Sequence, residues 1–258
     1  MIPILMYHRV NDTAPGQDLY PGMSLSPVRF EAQMRYLAEG GYRSLTLSQL
    51  AQIQNGLMEK PRCAVALTFD DGYRDNHAAA LPIMRKYGMT ATIFLVAERI
   101  GGTNDWDLYE DGLAPRLMSL NEIHEMKMAG IEFGSHTLTH AALTRVSPEE
   151  ARRQIHDSRQ LLVNALDVPI GFFSYPYDLV NDAVLEMVAQ SGYEGACGAS
   201  SLPQGPFNRW RIECLGCDSM RLFRLKASGL YYHLMWLRDR TVLGKALLRA
   251  KKRMRLWM

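Results

Sequence analysis

With 258 residues, 47% of them apolar and 22% charged, the chain can bury a large core and lies in the size range that an α/β barrel fills as one domain. No window approaches the roughly 18 apolar residues of a membrane-spanning helix, and Met1 to Arg9 lacks the basic start of a secretory signal, which predicts a cytoplasmic protein. The net charge of +2 hides an asymmetry: residues 229–258 carry eight Lys/Arg against one acid, while residues 1–228 carry 21 against 26.

Ile2 to Tyr7 reads as a buried first strand with His8 at its C-terminal end. Ser26-Pro27 opens a helix, Ser26 as N-cap and Pro27 at the first helical position, and Gly40-Gly41 closes it. A short helix over Ser48 to Gln54 precedes the apolar run Cys63 to Phe69, which suits a strand buried on both faces and ends in Asp70-Asp71-Gly72. Asn76 to Tyr87 is predicted helical, and Thr90 to Val96, β-branched and apolar, is a third strand. The segment Gly101 to Met118 contains Trp106 and Tyr109. It reads either as a lid or sugar platform, since aromatic faces stack on apolar sugar faces, or as a plain covering loop.

Ser119 to Ala129 is a helix, followed by the strand Ile131 to Gly134 and then Ser135-His136-Thr137-Leu138-Thr139-His140. Ser147-Pro148-Glu149-Glu150 is a capping box that opens a helix to about Leu166. Gly171 to Ser174 is a strand entering Tyr175-Pro176-Tyr177-Asp178, Asp182 to Ser191 is a helix, and Tyr193 to Ala199 is another strand. Strands alternating with helices in this rhythm predict a parallel α/β sheet with crossover helices. Cys214-Leu215-Gly216-Cys217 is a lone pair of cysteines; a zinc ribbon needs a second pair, so two buried thiols are expected.

In such sheets functional groups gather at the C-terminal ends of strands, where His8, Asp70-Asp71, His136 with His140, and Tyr175-Pro176-Tyr177 all fall. Two adjacent carboxylates at a buried strand end repel each other and lose hydration, a cost that a nearby cation relieves. His136 and His140, four apart, place both imidazoles on one side of a helical turn or compact loop, without the glutamate of the HExxH metalloproteases. With one carboxylate they make a three-donor set that leaves a coordination position open.

Thr68-Phe69-Asp70-Asp71-Gly72, Ser135-His136-Thr137-Leu138-Thr139-His140 and Phe173-Ser174-Tyr175-Pro176-Tyr177, in this order, resemble the polysaccharide deacetylase (NodB-homology, carbohydrate esterase 4) family, as does the opening Leu5 to Val10. The resemblance covers roughly residues 1–215 and implies an α/β fold, a distorted (β/α)7 barrel. It further implies a divalent metal, zinc first with cobalt or nickel as acceptable substitutes, held by Asp71, His136 and His140. By the same resemblance Asp70 is the general base, the Tyr177 backbone N–H an oxyanion donor and Tyr175 a substrate contact. The sequence departs from the family at Ser174, where many members have arginine, at Asp178, where they have glycine, and in lacking a Leu-x-His near the last strand. Arg211 is the candidate to orient Asp70, and His8 the candidate acid, the plain alternative being a histidine that caps the barrel. His77, His124 and His156 are expected on solvent-facing helix surfaces.

These features predict a deacetylase body over 1–228 and a basic tail over 229–258, in which Leu243, Leu247, Ala250, Met254 and Trp257 recur at spacings of four and three among six Lys/Arg. The tail is either an amphipathic helix for an anionic membrane surface, placing the protein peripherally at the inner membrane, or a terminal helix packed on the acidic body. No motif points to nucleic acid. The expected reaction is removal of N-acetyl groups from an amino sugar in a glycan or glycan precursor. Two rivals remain: a deformylase or cyclic-amide hydrolase on the same scaffold, and an inactive glycan-binding protein.

Overall fold

The structure, a computed structural model, describes residues 1–12, 22–107, 114–198 and 204–240. In chain order these form β1 (Ile4–Tyr7), β2 (Arg9–Val10), β3 (Ser24–Leu25), α1 (Pro27–Glu39), β4 (Arg43–Leu45), α2 (Leu47–Gln54), β5 (Ala64–Phe69), α3 (Leu81–Lys86), β6 (Thr92–Leu95) and α4 (Leu120–Met128). There follow β7 (Glu132–Ser135), α5 (Pro148–Leu166), β8 (Phe172–Ser174), α6 (Asp182–Gln190), β9 (Gly195–Gly198), β10 (Arg209–Trp210), β11 (Ile212–Glu213), α7 (Met220–Ala227) and α8 (Leu230–Arg240).

The main sheet runs β10-β9-β8-β7-β6-β5-β1-β11, every pairing parallel. Only Arg211 separates β10 from β11, so one stretch pairs with β9 through Arg209–Trp210 and with β1 through Ile212–Glu213. That stretch closes the sheet into a distorted (β/α)7 barrel, as expected. β4 extends the edge of β5 along its first half, where β6 pairs only with the second half.

Side chains divide into two apolar layers. Ile4, Ala66, Phe94, Phe172 and Cys197 fill the barrel, with Leu47 and Leu50 of α2 beneath them. The alternate residues, among them Leu5, Leu67, Ile93, Phe133 and Phe173, pack outward against the helices. Because both faces are covered, the strands read as apolar runs rather than as alternation. Gly134 makes room for the interior: a Cβ there would lie 2.6 Å from the Phe94 ring and 2.8 Å from the Phe172 carbonyl. At the floor, half-buried Glu132 accepts hydrogen bonds from the Leu47 and Ser48 amides at the start of α2.

Local structure follows the expected caps, with particular differences. Ser26, Ser119 and Ser147 each accept the amide three residues on. Glu150 does not return the bond to Ser147; its carboxylate binds Arg153 and Gln154 instead, so the box is half made. The helix expected over 76–87 splits into a π turn, Asn76–Ala80, and α3. Pro82 has no N–H and crowds the preceding turn, and the Leu81 amide accordingly reaches back to Asn76 O. Cys214 is buried as expected, but Cys217 is exposed. His156 is exposed, whereas His77 and His124 are half-buried and His77 bonds Glu125 at 2.8 Å.

Gly229, at φ 75°, turns the chain between α7 and α8. Tyr232 then anchors α8 to the body: its hydroxyl accepts the Ile4 amide and donates to Trp210 O at 2.8 Å. The rest of the predicted basic helix, 241–258, lies outside the described residues, as does Tyr109.

Candidate active site and metal centre

Asp70 continues the β5 ladder, its amide donating to Tyr7 O at 3.0 Å. Asp71 and Gly72 then take left-handed backbone conformations, φ 72° and 74°, which turn the chain so that the two neighbouring carboxylates diverge. A β-carbon at 72 would also press on the end of the Leu95 side chain, 2.7 Å away, so the positive φ is what chiefly calls for glycine there.

Asp71 faces the two histidines. Its Oδ1 lies 3.4 Å from His136 Nε2 and 3.3 Å from His140 Nε2, and the three donor atoms fall within 4.8 Å of one another, all in buried residues. The expected HxxxH pair sits on a compact loop rather than a helix: Thr137 and His140 have φ 68° and 64°. Gln154 of α5 clamps that loop, its Oε1 accepting the Leu138 and Thr139 amides. His136 Nδ1 is 2.8 Å from Ser174 O, a group that can only accept, so the proton sits on Nδ1 and Nε2 presents its lone pair. Burial pushes His136 down to about 4, leaving it neutral at ordinary pH. Burial alone would raise Asp71, but the imidazoles of His140 and His136 beside it hold it well below the usual carboxylate range.

These donors fit a divalent cation. Among the described residues Asp71 Oδ1 and His140 Nδ1 are both buried without a hydrogen-bond partner, and one carboxylate with two imidazoles is a donor set that zinc, cobalt and nickel accept.

Asp70 has a different environment. Arg211 grips it in a fork, Nη1 to Oδ1 and Nη2 to Oδ2, both 2.6 Å, and Nη2 also donates to Ser174 Oγ at 2.8 Å. The guanidinium lies over the Phe94 ring at 5.4 Å. Burial opposes ionisation of Asp70, yet the Arg211 charge wins and the carboxyl titrates below its ordinary value. Here the family departure at Ser174 has a physical reason: the short hydroxyl shares the space that the Arg211 side chain enters from the β10–β11 junction.

His8 follows β1, whose Tyr7 pairs with Phe69, so it stands level with Asp70 at the same barrel end. Its charge, when present, adds a small lowering influence on both aspartates. The Asn76 side-chain amide holds the His8 carbonyl at 2.8 Å, and Asp75 binds Arg9, the Val10 amide and Asn11. Asp75 and Asn76 are supports that the motifs do not mark; the available signal was a polar pair at the start of an otherwise apolar helix.

Tyr177 lies at the mouth, 46% exposed, its ring 4.6 Å from His140 and its backbone left-handed at φ 59°. Asp178 follows at φ 52°, a left-handed conformation that aspartate tolerates better than most residues. Tyr175 is elsewhere: only 1% exposed, it meets Phe173 edge to face and donates its hydroxyl to Phe207 O at 2.9 Å. Its side chain therefore belongs to the core and not to the mouth. Trp106 does reach the site, stacked on His140 with centroids 4.5 Å apart at 28°.

This parallel barrel gathers, at the strand ends where the active sites of such barrels form, a buried Asp-His-His cluster that could hold a metal ion beside a second, arginine-bound carboxylate. The family profile described as polysaccharide deacetylase matches residues 58–196, and the chain belongs to that family. YxkH of Bacillus subtilis, which carries the family's name, is 30% identical over 215 residues, 82% of this chain and 70% of the relative. The poly-β-1,6-N-acetyl-D-glucosamine N-deacetylase of Staphylococcus epidermidis is 27% identical over 211 residues, 74% of this chain and 69% of its own length. Among solved structures, the Streptococcus pyogenes deacetylase PplD in complex with acetate superposes with a TM-score of 0.74 at 27% identity, covering 88% of this chain and 97% of that one.

Proposed function

We propose that this chain is a metal-dependent N-deacetylase of amino-sugar glycans, with Asp71, His136 and His140 holding the ion and Asp70 acting as general base. The observation that carries the reading is the division of labour between adjacent carboxylates: Asp71 faces two imidazoles with an orphaned oxygen, while Asp70 is kept ionised and oriented by Arg211. Held by Asp71, His136 and His140, a divalent ion would supply Lewis-acid polarisation of the acyl group and would bring the pKa of water towards about 7. Asp70 accepts the proton of the attacking water. The Tyr177 backbone N–H donates to the tetrahedral oxyanion, a type of contact whose loss costs about 3 kcal/mol elsewhere. His8 gives a proton to the nitrogen as the C–N bond breaks.

The Staphylococcus relative named for poly-β-1,6-N-acetylglucosamine supports an N-acetylglucosamine glycan as substrate, and the aromatic rings of Trp106 and Tyr177 beside the centre suit a sugar face. Zinc is the first expectation for the ion. The decisive experiment is metal analysis with product analysis on N-acetyl, N-formyl and cyclic-imide substrates. Asp70→Asn should abolish acetate release while metal stays bound, and His136→Ala should lose both. Full metal retention by His136→Ala refutes the ligand assignment; cleavage confined to formyl or imide substrates favours the rival hydrolase, and stoichiometric metal with no hydrolysis the inactive binding protein.

For residues 229–258 we propose peripheral contact with an anionic membrane surface. No helix among the described residues is long and apolar enough to cross a membrane. Leu230 and Leu234, one turn apart on α8, are 52% and 41% exposed ahead of the basic stretch, which supports the reading.

A further inference from the structure

Histidines that bind metals almost always donate their second ring nitrogen to a carbonyl or carboxylate, which fixes the tautomer and the ring's orientation. His136 obeys this, through Ser174 O. His140 does not: its Nδ1 is buried and has no hydrogen-bond partner among the described residues. No polar contact at Nδ1 holds that imidazole. Aromatic surfaces do. Trp106 covers one face at 4.5 Å, and the rings of Tyr177 and His136 meet it edge to face at 4.6 and 4.8 Å.

Resting on the metal-centre reading, we infer that Trp106 is a positioning residue for that centre: its indole face replaces the hydrogen bond that His140 lacks. Two features make the stack more than contact. First, Trp106 sits on a rigid turn. Asn104, 0% exposed, donates from Nδ2 to the Tyr73 hydroxyl and to Asp107 Oδ2, both at 2.8 Å, and its Oδ1 accepts the Asp107 amide. The flanking strands of this loop pair with each other and with the turn that carries Asp71, through Leu117 N to Gly102 O and Met118 N to Gly72 O. The indole is thus referenced to Asp71 and pressed on His140. Second, coordination withdraws electron density from an imidazole, and an electron-rich indole face attracts a ring that becomes more positive. The stack strengthens when the ion is bound, so it favours the loaded state over the empty one.

Trp106→Leu fills much of the space without a π face, and Trp106→Phe keeps the face. Zinc affinity measured by chelator competition should fall about tenfold or more in Trp106→Leu, the range seen when outer-shell partners of metal ligands are removed, and should stay close to the unaltered protein in Trp106→Phe. Melting of the metal-free proteins, read separately, reports packing alone. Adding Co2+ to the unaltered protein should quench a component of tryptophan emission that is missing in Trp106→Phe. Equal zinc affinity in the leucine variant and the unaltered protein overturns the inference while leaving the centre intact. Absence of stoichiometric metal in the unaltered protein overturns the centre itself. Should Trp106→Leu fail to fold, Trp106→Met takes its place, and the cobalt quench is read regardless: a quench that survives unchanged in Trp106→Phe also overturns the inference.

Discussion

Asp70 and Arg211 are buried together, so each is tolerable only because the other is there. Truncating one partner strands the other charge in a dry interior, which costs about 3–5 kcal/mol for pairs of this kind. Arg211→Met should lower the urea-unfolding free energy by that amount, and adding Asp70→Asn should restore part of it; two simply additive losses would show that the fork is not coupled. His136 makes a second prediction, for the metal-free protein. Unfolded, the imidazole takes its proton near 6.5, and folded only near 4. Between these values the unfolded chain binds more protons. Stability is therefore full above pH 6.5 and declines as the pH falls towards 4, by on the order of 3 kcal/mol. Urea midpoints across that window should drop in the unaltered protein and flatten in His136→Gln; a flat unaltered protein would sink the prediction.

At the level of strands and helices, the interior of the barrel leaves little slack around β7. A methyl at 134 would collide with Phe94 and the Phe172 backbone, neither a flexible chain end, so Gly134→Ala should cost about 1–3 kcal/mol and shift the denaturation midpoint without changing its slope. The long buried strands and capped helices are legible from residues alone because apolar runs and Ser-x-x-Glu signals are local. β4, β10 and β11 are not: two or three residues each, with arginines among them, they become strands only because neighbouring edges are there to pair with. The same divide runs through the site. Asp70, Asp71, His136 and His140 stand in motifs and can be named in advance, whereas Tyr175 points inward because Phe207, 32 residues away, offers its carbonyl. The π turn at Asn76 is a consequence of Pro82, a cue present in the sequence but read there as continuous helix.

Across the whole molecule, charge is segregated: an acidic body precedes a thirty-residue segment with eight Lys/Arg against one acid, whose first turns are pinned by Tyr232. If those residues meet lipid, sedimentation with vesicles rich in anionic lipid should exceed that with neutral vesicles and weaken with added salt, each Lys/Arg near the surface contributing about 1 kcal/mol. Salt-independent or absent binding would leave packing against the body as the better description. The closure of the barrel has a different consequence. The stretch that joins the last strand to the first carries Arg211, whose grip on Asp70 spans 141 positions. During synthesis Asp70 leaves the ribosome well before the arginine that orients it. On the proposed function, a chain released short of that junction would lack the group that aligns its base, and deacetylation by such a truncated chain would argue against the role given to Arg211.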